Sequence, residues 1–326
     1  MLEEYEIIRP TDRAMSRRGL DCILSEAENV YRSVPADLAE RRQAFDASCA
    51  LYGLDTSRQV LAMSHERIIG ACLWVPTAGR TALFYVPQTV TPEIPVPAAQ
   101  VQCIIQATKD AAAAGMALGQ VILPPEAQET AALYRRAGFF DLATLRYMRR
   151  HRPLFQPSLA LSPECQIVTY TPDTRLDFAQ TIKASYEQTL DCPRLSNLRN
   201  IDDVMAGHQA NAFDPTLWFL LKCNSRNAGV LLLAHRPENS VLELVYLGLV
   251  PHSRGMGLGT QLVKLALIAA MRVRAATVTL AVDSANTPAV HLYRRSHFEP
   301  TVERQVLIHP FLTPRCPVTV PPGADK

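Results

Sequence analysis

The tetrapeptide Leu133-Tyr134-Arg135-Arg136 returns as Leu292-Tyr293-Arg294-Arg295, a displacement of 293 − 134 = 159 positions. The same displacement carries Gly70 onto Gly229 and Phe139 onto Phe298. Each glycine opens an apolar run, Ala71-Cys72-Leu73-Trp74 in one case and Val230-Leu231-Leu232-Leu233 in the other. Three landmarks at one offset indicate duplication, and a duplicated chain builds one supersecondary plan twice. The length of 326 residues agrees, because it exceeds what a single core of ordinary size occupies.

Periodicity supplies the plan. In the second copy, strands are expected over Gln166–Tyr170, over Trp218–His235 with a break near Asn224, over Val241–Val250 and over Val278–Val282. Helices are expected from about Asp173 to Leu190, over Thr260–Arg272 and over Pro288–Arg295. The first copy repeats the order: Tyr5–Ile8, Val60–Val75 with a turn near His65, Thr81–Val86, a helix over Val101–Ala114, Gln120–Leu123, and a helix ending at Arg136. Mixed strands and helices place the chain in the α/β (α+β) class. The proline-punctuated stretch His151–Pro163 reads as a bridge. The expected division is a unit over 1–152, a linker over 153–163 and a unit over 164–326.

Composition narrows the partners. Apolar residues make up 48% and charged residues 20% of the chain, which describes a globular protein. Lys+Arg 33 against Asp+Glu 31 leave a net charge of +2, too balanced to favour nucleic acid or a membrane surface. The amino-terminal MLEEYEIIRPTDR has no secretory apolar run. Nor does any stretch approach the roughly 18 to 20 apolar residues of a membrane span. Eight cysteines, Cys22, Cys49, Cys72, Cys103, Cys165, Cys192, Cys223 and Cys316, form no Cys-x-x-Cys pair. Reduced thiols in a cytoplasmic protein are expected, with no metal site and no disulfide framework.

The segment that carries chemistry is Leu-Val-Pro-His-Ser-Arg-Gly-Met-Gly-Leu-Gly-Thr, residues 249 to 260, between a strand and a helix. Gly255, Gly257 and Gly259 leave main-chain amides unshielded. Those amides stand at a helix start, where unpaired donors and the helix dipole favour an anion. Arg254 brings a fork of donors suited to phosphate oxygens. Such a loop is a pyrophosphate cradle. Its spacing, Gly-x-Gly-x-Gly late in the unit, is not the dinucleotide fingerprint, and the Gly-Lys-Ser/Thr of a nucleoside-triphosphate loop is absent.

Here the sequence resembles the GCN5-related N-acetyltransferase (GNAT) family. That family's Arg/Gln-x-x-Gly-x-Gly/Ala signature is matched by Arg254-x-x-Gly257-x-Gly259, with Leu249-Val250-Pro251 before it and Asn286-x-x-Ala289-x-x-Leu292-Tyr293 after it. The tandem arrangement is similar to mycothiol synthase and related tandem acetyltransferases. The resemblance implies, for each half, a twisted, mostly antiparallel mixed sheet flanked by helices, splayed between its central strands. It further implies acetyl-CoA as cofactor. Leu247, Leu249 and Val250 would lie along the pantetheine, Arg254, Gly255, Met256, Gly257, Leu258, Gly259 and Thr260 at the pyrophosphate, and Asn286 and Tyr293 nearby. One departure is His297-Phe298 where the family has Gly-Phe; the first copy keeps Gly138-Phe139.

Acyl transfer from a thioester to an amine needs a neutral amine and a proton for the thiolate. Tyr293 is the candidate acid, since a phenol with a reference pKa of about 10 stays protonated at neutrality, and the family's acid tyrosine occupies this motif position. Glu243, inside the apolar run Val241-Leu242-Glu243-Leu244-Val245, is the candidate base. Tyr246, His208 and Asp283 are weaker acceptor-side candidates. In the first copy the displacement answers the cradle with Pro95-Val96-Pro97-Ala98-Ala99-Gln100 and Glu243 with Phe84. Prolines supply no amide, so that half is expected to act as a scaffold. The expected activity is acetyl transfer to the primary amine of a small molecule. The alternatives are a protein amino-terminal or lysine acetyltransferase, and a non-catalytic acyl-CoA sensor. Oligomeric state is not legible.

Overall fold

The structure, a computed structural model, describes residues 4–24, 42, 43, 45–47, 49, 54–87, 97–153, 157–210 and 212–311. The first half runs β1 (Glu6–Ile8), α1 (Arg13–Leu24), β2 (Gln59–Ser64), β3 (Arg67–Thr77), β4 (Thr81–Tyr85), α2 (Pro97–Ala113), β5 (Leu118–Leu123), α3 (Gln128–Arg136) and β6 (Phe140–His151). The second runs β7 (Cys165–Thr169), α4 (Arg175–Ser185), α5 (Ile201–Gln209), β8 (Phe213–Cys223), β9 (Arg226–Arg236), β10 (Val241–Leu249), α6 (Leu258–Arg272), β11 (Thr277–Asp283), α7 (Thr287–Arg295) and β12 (Glu299–Pro310).

The twelve strands of the described residues form one mixed sheet, ordered β1-β2-β3-β4-β5-β12-β6-β11-β10-β9-β8-β7. Each half contributes five strands in sequence order and then sends its last strand across. β12 pairs with β5 of the first half, β6 pairs with β11 of the second, and β6 and β12 pair with each other. The repeat therefore becomes a reciprocal strand exchange at the centre of the sheet. Both exchanged strands were absent from the sequence reading. Arg146, Arg149 and Arg150 break the apolar alternation of β6, and the bridge expected from His151 starts at the last residue of that strand. Leu154, Phe155 and Gln156 of the bridge lie outside the described residues.

Helices cover both faces. In the second half Leu262, Val263 and Ala266 of α6 are buried against Leu231, Leu242 and Val278, while Phe178 and Met205 of α4 and α5 pack on Leu220 and Leu232 opposite. Each fully buried leucine is worth about 1.5–3 kcal/mol relative to exposure. In the first half α2 and α3 cover one face and α1 the other.

The two copies differ where it matters. β3 and β4 pair without interruption from Leu73↔Tyr85 to Thr77↔Thr81. β9 and β10 are broken by a bulge between Leu244 and Tyr246. Aligned ladders give 244 − 84 = 160 before the bulge, from Leu233↔Leu244 against Trp74↔Phe84, and 246 − 85 = 161 after it, from Leu232↔Tyr246 against Leu73↔Tyr85. Val245 is thus an extra residue that re-aims β10. The same registers put Leu83, not Phe84, opposite the place of Glu243, since Leu83↔Gln120 answers Glu243↔Thr279. Neither residue is a carboxylate.

A second difference is Gln100, which stands where the second copy has Gly259. Its buried amide accepts from Ala71 N–H at 3.0 Å and donates to Ala71 C=O at 2.7 Å. A side chain here satisfies the main chain of β3, which the second half satisfies with strand β10. Pro95 and Val96, part of the expected cradle equivalent, lie outside the described residues.

The cysteine expectation needs correction. Cys165 and Cys223 sit directly opposite on β7 and β8 with Cα atoms 4.1 Å apart, joined by a disulfide. A separation of 58 residues hides such a pair from any spacing motif; only the register brings it together. Cys49, Cys72, Cys103 and Cys192 are free thiols, and Cys316 lies outside the described residues. Among the described residues no helix is long and apolar enough to cross a membrane.

Candidate active site

β10 and β11 run parallel and paired only from Val241↔Thr277 to Leu244↔Leu280. The Val245 bulge then turns β10 away, and a cleft of about 230 Å³ opens between the strands. Tyr246 to Leu249 line it from β10 and Ala281 and Val282 from β11. Tyr293 of α7 and the loop after α4, including Asp191, complete the walls. The edge of β10 that faces β11 has no strand partner there, so an extended ligand can hydrogen-bond along it.

At one end of the cleft the chain passes through the glycine loop. Gly255 and Gly257 both adopt left-handed backbone, φ 76°, and a Cβ added at either would meet open space. Gly257 caps α6. Among the described residues, the amides of Gly255, Met256, Gly257, Leu258 and Gly259 find no backbone acceptor, whereas Thr260 N–H bonds Gly257 C=O at 3.1 Å. Free donors at a helix start form an anion site. Gly259 packs closely, a Cβ there lying 3.2 Å from Leu292.

Arg254 has a different employment from the phosphate fork expected of it. Its Nε donates to Leu249 C=O at 3.1 Å, Nη1 to Gln188 C=O at 3.0 Å, and Nη2 to the carbonyls of Ser185 at 2.9 Å and Glu187 at 2.8 Å. The guanidinium thereby satisfies carbonyls at the end of α4 and ties three segments of the cleft wall together. Val250, likewise expected at the cofactor, spends its N–H on Ala228 C=O at 3.0 Å and does not line the cleft.

Tyr293 reaches the cleft from α7, whose start is fixed by Asn286. The Asn286 side chain accepts from Ala289 N–H at 3.3 Å and also lines the cleft. Burial, with the charge of Asp191 second, pushes the Tyr293 hydroxyl well above the usual phenol range. It is therefore a proton donor across the physiological range. Its counterpart Tyr134 is sealed in the first core against Phe139, with a hydroxyl that no described residue hydrogen-bonds. At the end of α7, His297 adopts φ 60° where Gly138 has φ 97°. The imidazole side chain is accommodated at a left-handed cap that glycine usually fills.

The remaining candidates are dispersed. Glu243 is ion-paired with Arg236 at 3.1 Å and does not line the cleft. Asp283 is committed to structure: its Oδ2 accepts from Cys192 N–H at 3.1 Å and its Oδ1 from Ala285 N–H at 2.9 Å. Tyr246 lines the cleft, its hydroxyl 2.7 Å from Ser185 Oγ. The His208 ring packs on Tyr246 with centroids 5.4 Å apart; burial and then the Arg199 charge lower its pKa to about 4, so it is neutral at physiological pH. The sequence reading missed Asp191, which lies in an aperiodic loop with no motif to mark it.

The first half docks on the helix behind Tyr246. The Gly79-Arg80 turn docks on α5: Arg80 Nε and Nη2 donate to Asp203 at 2.9 and 2.7 Å, and Arg199 Nη2 donates to Asp203 C=O at 3.1 Å. A Cβ at Gly79 would lie 2.3 Å from Asp203 C=O, so only glycine permits the approach. The bridge is worth only about 1 kcal/mol because the Arg80 side chain is 42% exposed. Its value is positional, since α5 carries His208 against Tyr246. Arg80→Ala is expected to lower stability by on the order of 1 kcal/mol or less and to speed amide hydrogen exchange in α5 while leaving that of β10 unmoved.

Residues 184–298 match the family model described as Acetyltransferase (GNAT) family. The second half carries a GNAT domain. A GCN5-related N-acetyltransferase from Sphaerobacter thermophilus superposes at TM-score 0.58 and 15% identity, covering 94% of this chain and 96% of that one. A tandem GNAT protein from the clavulanic acid biosynthesis pathway superposes at TM-score 0.52 and 15% identity, covering 95% and 99%. The whole chain therefore has a tandem GNAT fold, the mixed sheet with flanking helices that the sequence implied. Among curated proteins no significant sequence match is found.

Proposed function

We propose that this GNAT protein transfers an acetyl group from acetyl-CoA to the primary amine of a small molecule. The observation that carries the proposal is the cleft between β10 and β11, lined as far as Arg254, with the free amides of Gly255 to Gly259 directly following Arg254 in the chain. An unpaired strand edge suits the amide-bearing pantetheine arm, and a left-handed glycine turn with free amides at a helix start suits a diphosphate. The residues present fit the cofactor. When bound, acetyl-CoA would supply an acyl group already activated as a thioester.

Around that group the chain binds, orients and moves protons. Leu247 and Leu249 flank the cleft from β10, and the glycine loop anchors the far end. Tyr293 is placed to protonate a departing thiolate. On the acceptor side Tyr246 is backed by His208 of α5, a helix held in place by the Arg80 turn of the first half. The docking of the first half on α5, behind Tyr246, supports a small acceptor over an extended peptide.

The first half is proposed to bind no coenzyme. It lacks the bulge that parts β10 from β11, and the place of Gly259 in the cradle is taken by Gln100, whose side chain is spent on Ala71 of β3. Titration calorimetry with acetyl-CoA should give one equivalent per chain; two equivalents would refute the division of labour. Release of coenzyme thiol in the presence of amines tests the activity itself.

A further inference from the structure

We propose that Asp191 is the group that captures the acceptor amine as its ammonium ion and removes the proton that blocks attack. The inference rests on the acetyltransferase reading and names the residue that reading leaves open.

Asp191 lines the same cleft as Tyr293 and Tyr246. A main-chain bond fixes its carboxylate: Oδ1 accepts from Asp283 N–H at 3.1 Å, and Asn286 lines the same cleft at the start of α7. The residue keeps solvent-accessible surface, because one side faces the open concavity. The cleft walls crowd its other sides, and that burial raises its carboxyl pKa. Asp191 is exposed at the cleft mouth yet crowded on its inner side, and such a carboxylate gains from an arriving cation.

The neighbours fit a cation. Tyr186 and Tyr246 stand edge to face with ring centroids 5.9 Å apart, and both feel the charge of Asp191. Aromatic faces beside a carboxylate are the usual surroundings of a recognised ammonium group. The titratable groups facing Asp191 are Asp283 at the end of β11, Cys192 beside it, Tyr186 after α4, Tyr246 on β10 and Tyr293 on α7, with Arg254 in the same wall. Glu243, the base expected from sequence, is held by Arg236 outside this lining.

The proton balance closes. An acceptor R–NH3⁺ gives one proton to the Asp191 carboxylate, which passes it to solvent through the mouth of the cleft. The neutral nitrogen forms the C–N bond to the acyl carbon, and the C–S bond breaks. Tyr293 gives its hydroxyl proton to the thiolate and recovers one from the nitrogen. The net products are amide, thiol and one released proton.

The test uses the full chain, acetyl-CoA, and a probe set of phenethylamine, spermidine and glucosamine. Asp191→Asn keeps an Oδ1 acceptor for Asp283 N–H and loses only the charge. With the probe turned over fastest by the wild type, kcat/KM should fall about 100-fold or more. Acetyl-CoA affinity should change less than about twofold, and the acid limb of the wild-type pH profile should vanish. Independently of turnover, a carboxyl-labelled aspartate NMR titration should contain one resonance that titrates late, is lost in Asp191→Asn, and shifts when the probe is added without coenzyme. Unimpaired turnover in Asp191→Asn, with a large loss in Glu243→Gln, would overturn the assignment in favour of Glu243. A wild type that binds acetyl-CoA yet acetylates none of the probes would also overturn it. Failure to bind acetyl-CoA would instead sink the underlying acetyltransferase reading.

Discussion

Replacing Gly257 with valine is expected to abolish measurable acetyl-CoA binding while the protein stays folded. Gly257 sits at φ 76° and caps α6. A β-carbon in the left-handed region costs about 1–2 kcal/mol, a sum that a two-core protein with an ordinary stability of about 5–15 kcal/mol survives. The larger effect is local. A Cβ at Gly257 meets no protein atom within 4 Å, so valine adds methyl groups in the space over the free amides of Gly255 to Gly259. An anion there would lose several main-chain hydrogen bonds, each worth about 1.5–3 kcal/mol to a charged group. The expected loss is therefore at least 100-fold in Kd. Calorimetry with acetyl-CoA checks the binding, and an unchanged far-ultraviolet circular dichroism spectrum checks the fold. Wild-type affinity in the variant would mean that the anion sits elsewhere.

What made this loop legible in the sequence is that its chemistry is local: three glycines and a helix start lie within a few residues. The repeat was legible for the same reason, through short identical strings at one offset. What escaped is what depends on register and on distant partners. β6 and β12 are sandwiched between strands of both halves, and their pairing cannot be inferred from arginine-interrupted alternation. The bulge at Val245 is one inserted residue that only the ladders of the two copies expose. Arg254 lies within the motif, yet its guanidinium is directed to carbonyls more than sixty positions earlier in the chain. Asp191 enters the cleft from a loop without periodicity, and Cys165 meets Cys223 only through the β7–β8 register. Motif spacing finds the main-chain chemistry of a site, while side-chain employment is set by tertiary contacts.

Those contacts also separate the two tyrosines that the repeat makes look alike. Tyr293→Phe is expected to lower kcat about 100-fold or more, within the usual range for a lost general acid, with acetyl-CoA affinity nearly unchanged. The phenol is buried in the cleft wall beside Asp191, and burial with that charge holds it protonated. A departing thiolate needs that proton least when the medium no longer protonates thiols. The deficit should therefore be widest at neutrality and narrow above about pH 9, past the ordinary thiol range. A purely structural role for Tyr293 would give a loss independent of pH. Tyr134→Phe is the matched control: its hydroxyl is buried with no described partner, so removal should leave turnover intact. It should also raise stability slightly, by up to about 1 kcal/mol, because an unsatisfied buried polar group is lost. If both variants lost activity equally, the role assigned to Tyr293 would have to be ascribed to packing, which the two copies share, and not to the cleft that the Val245 bulge opens in the second copy.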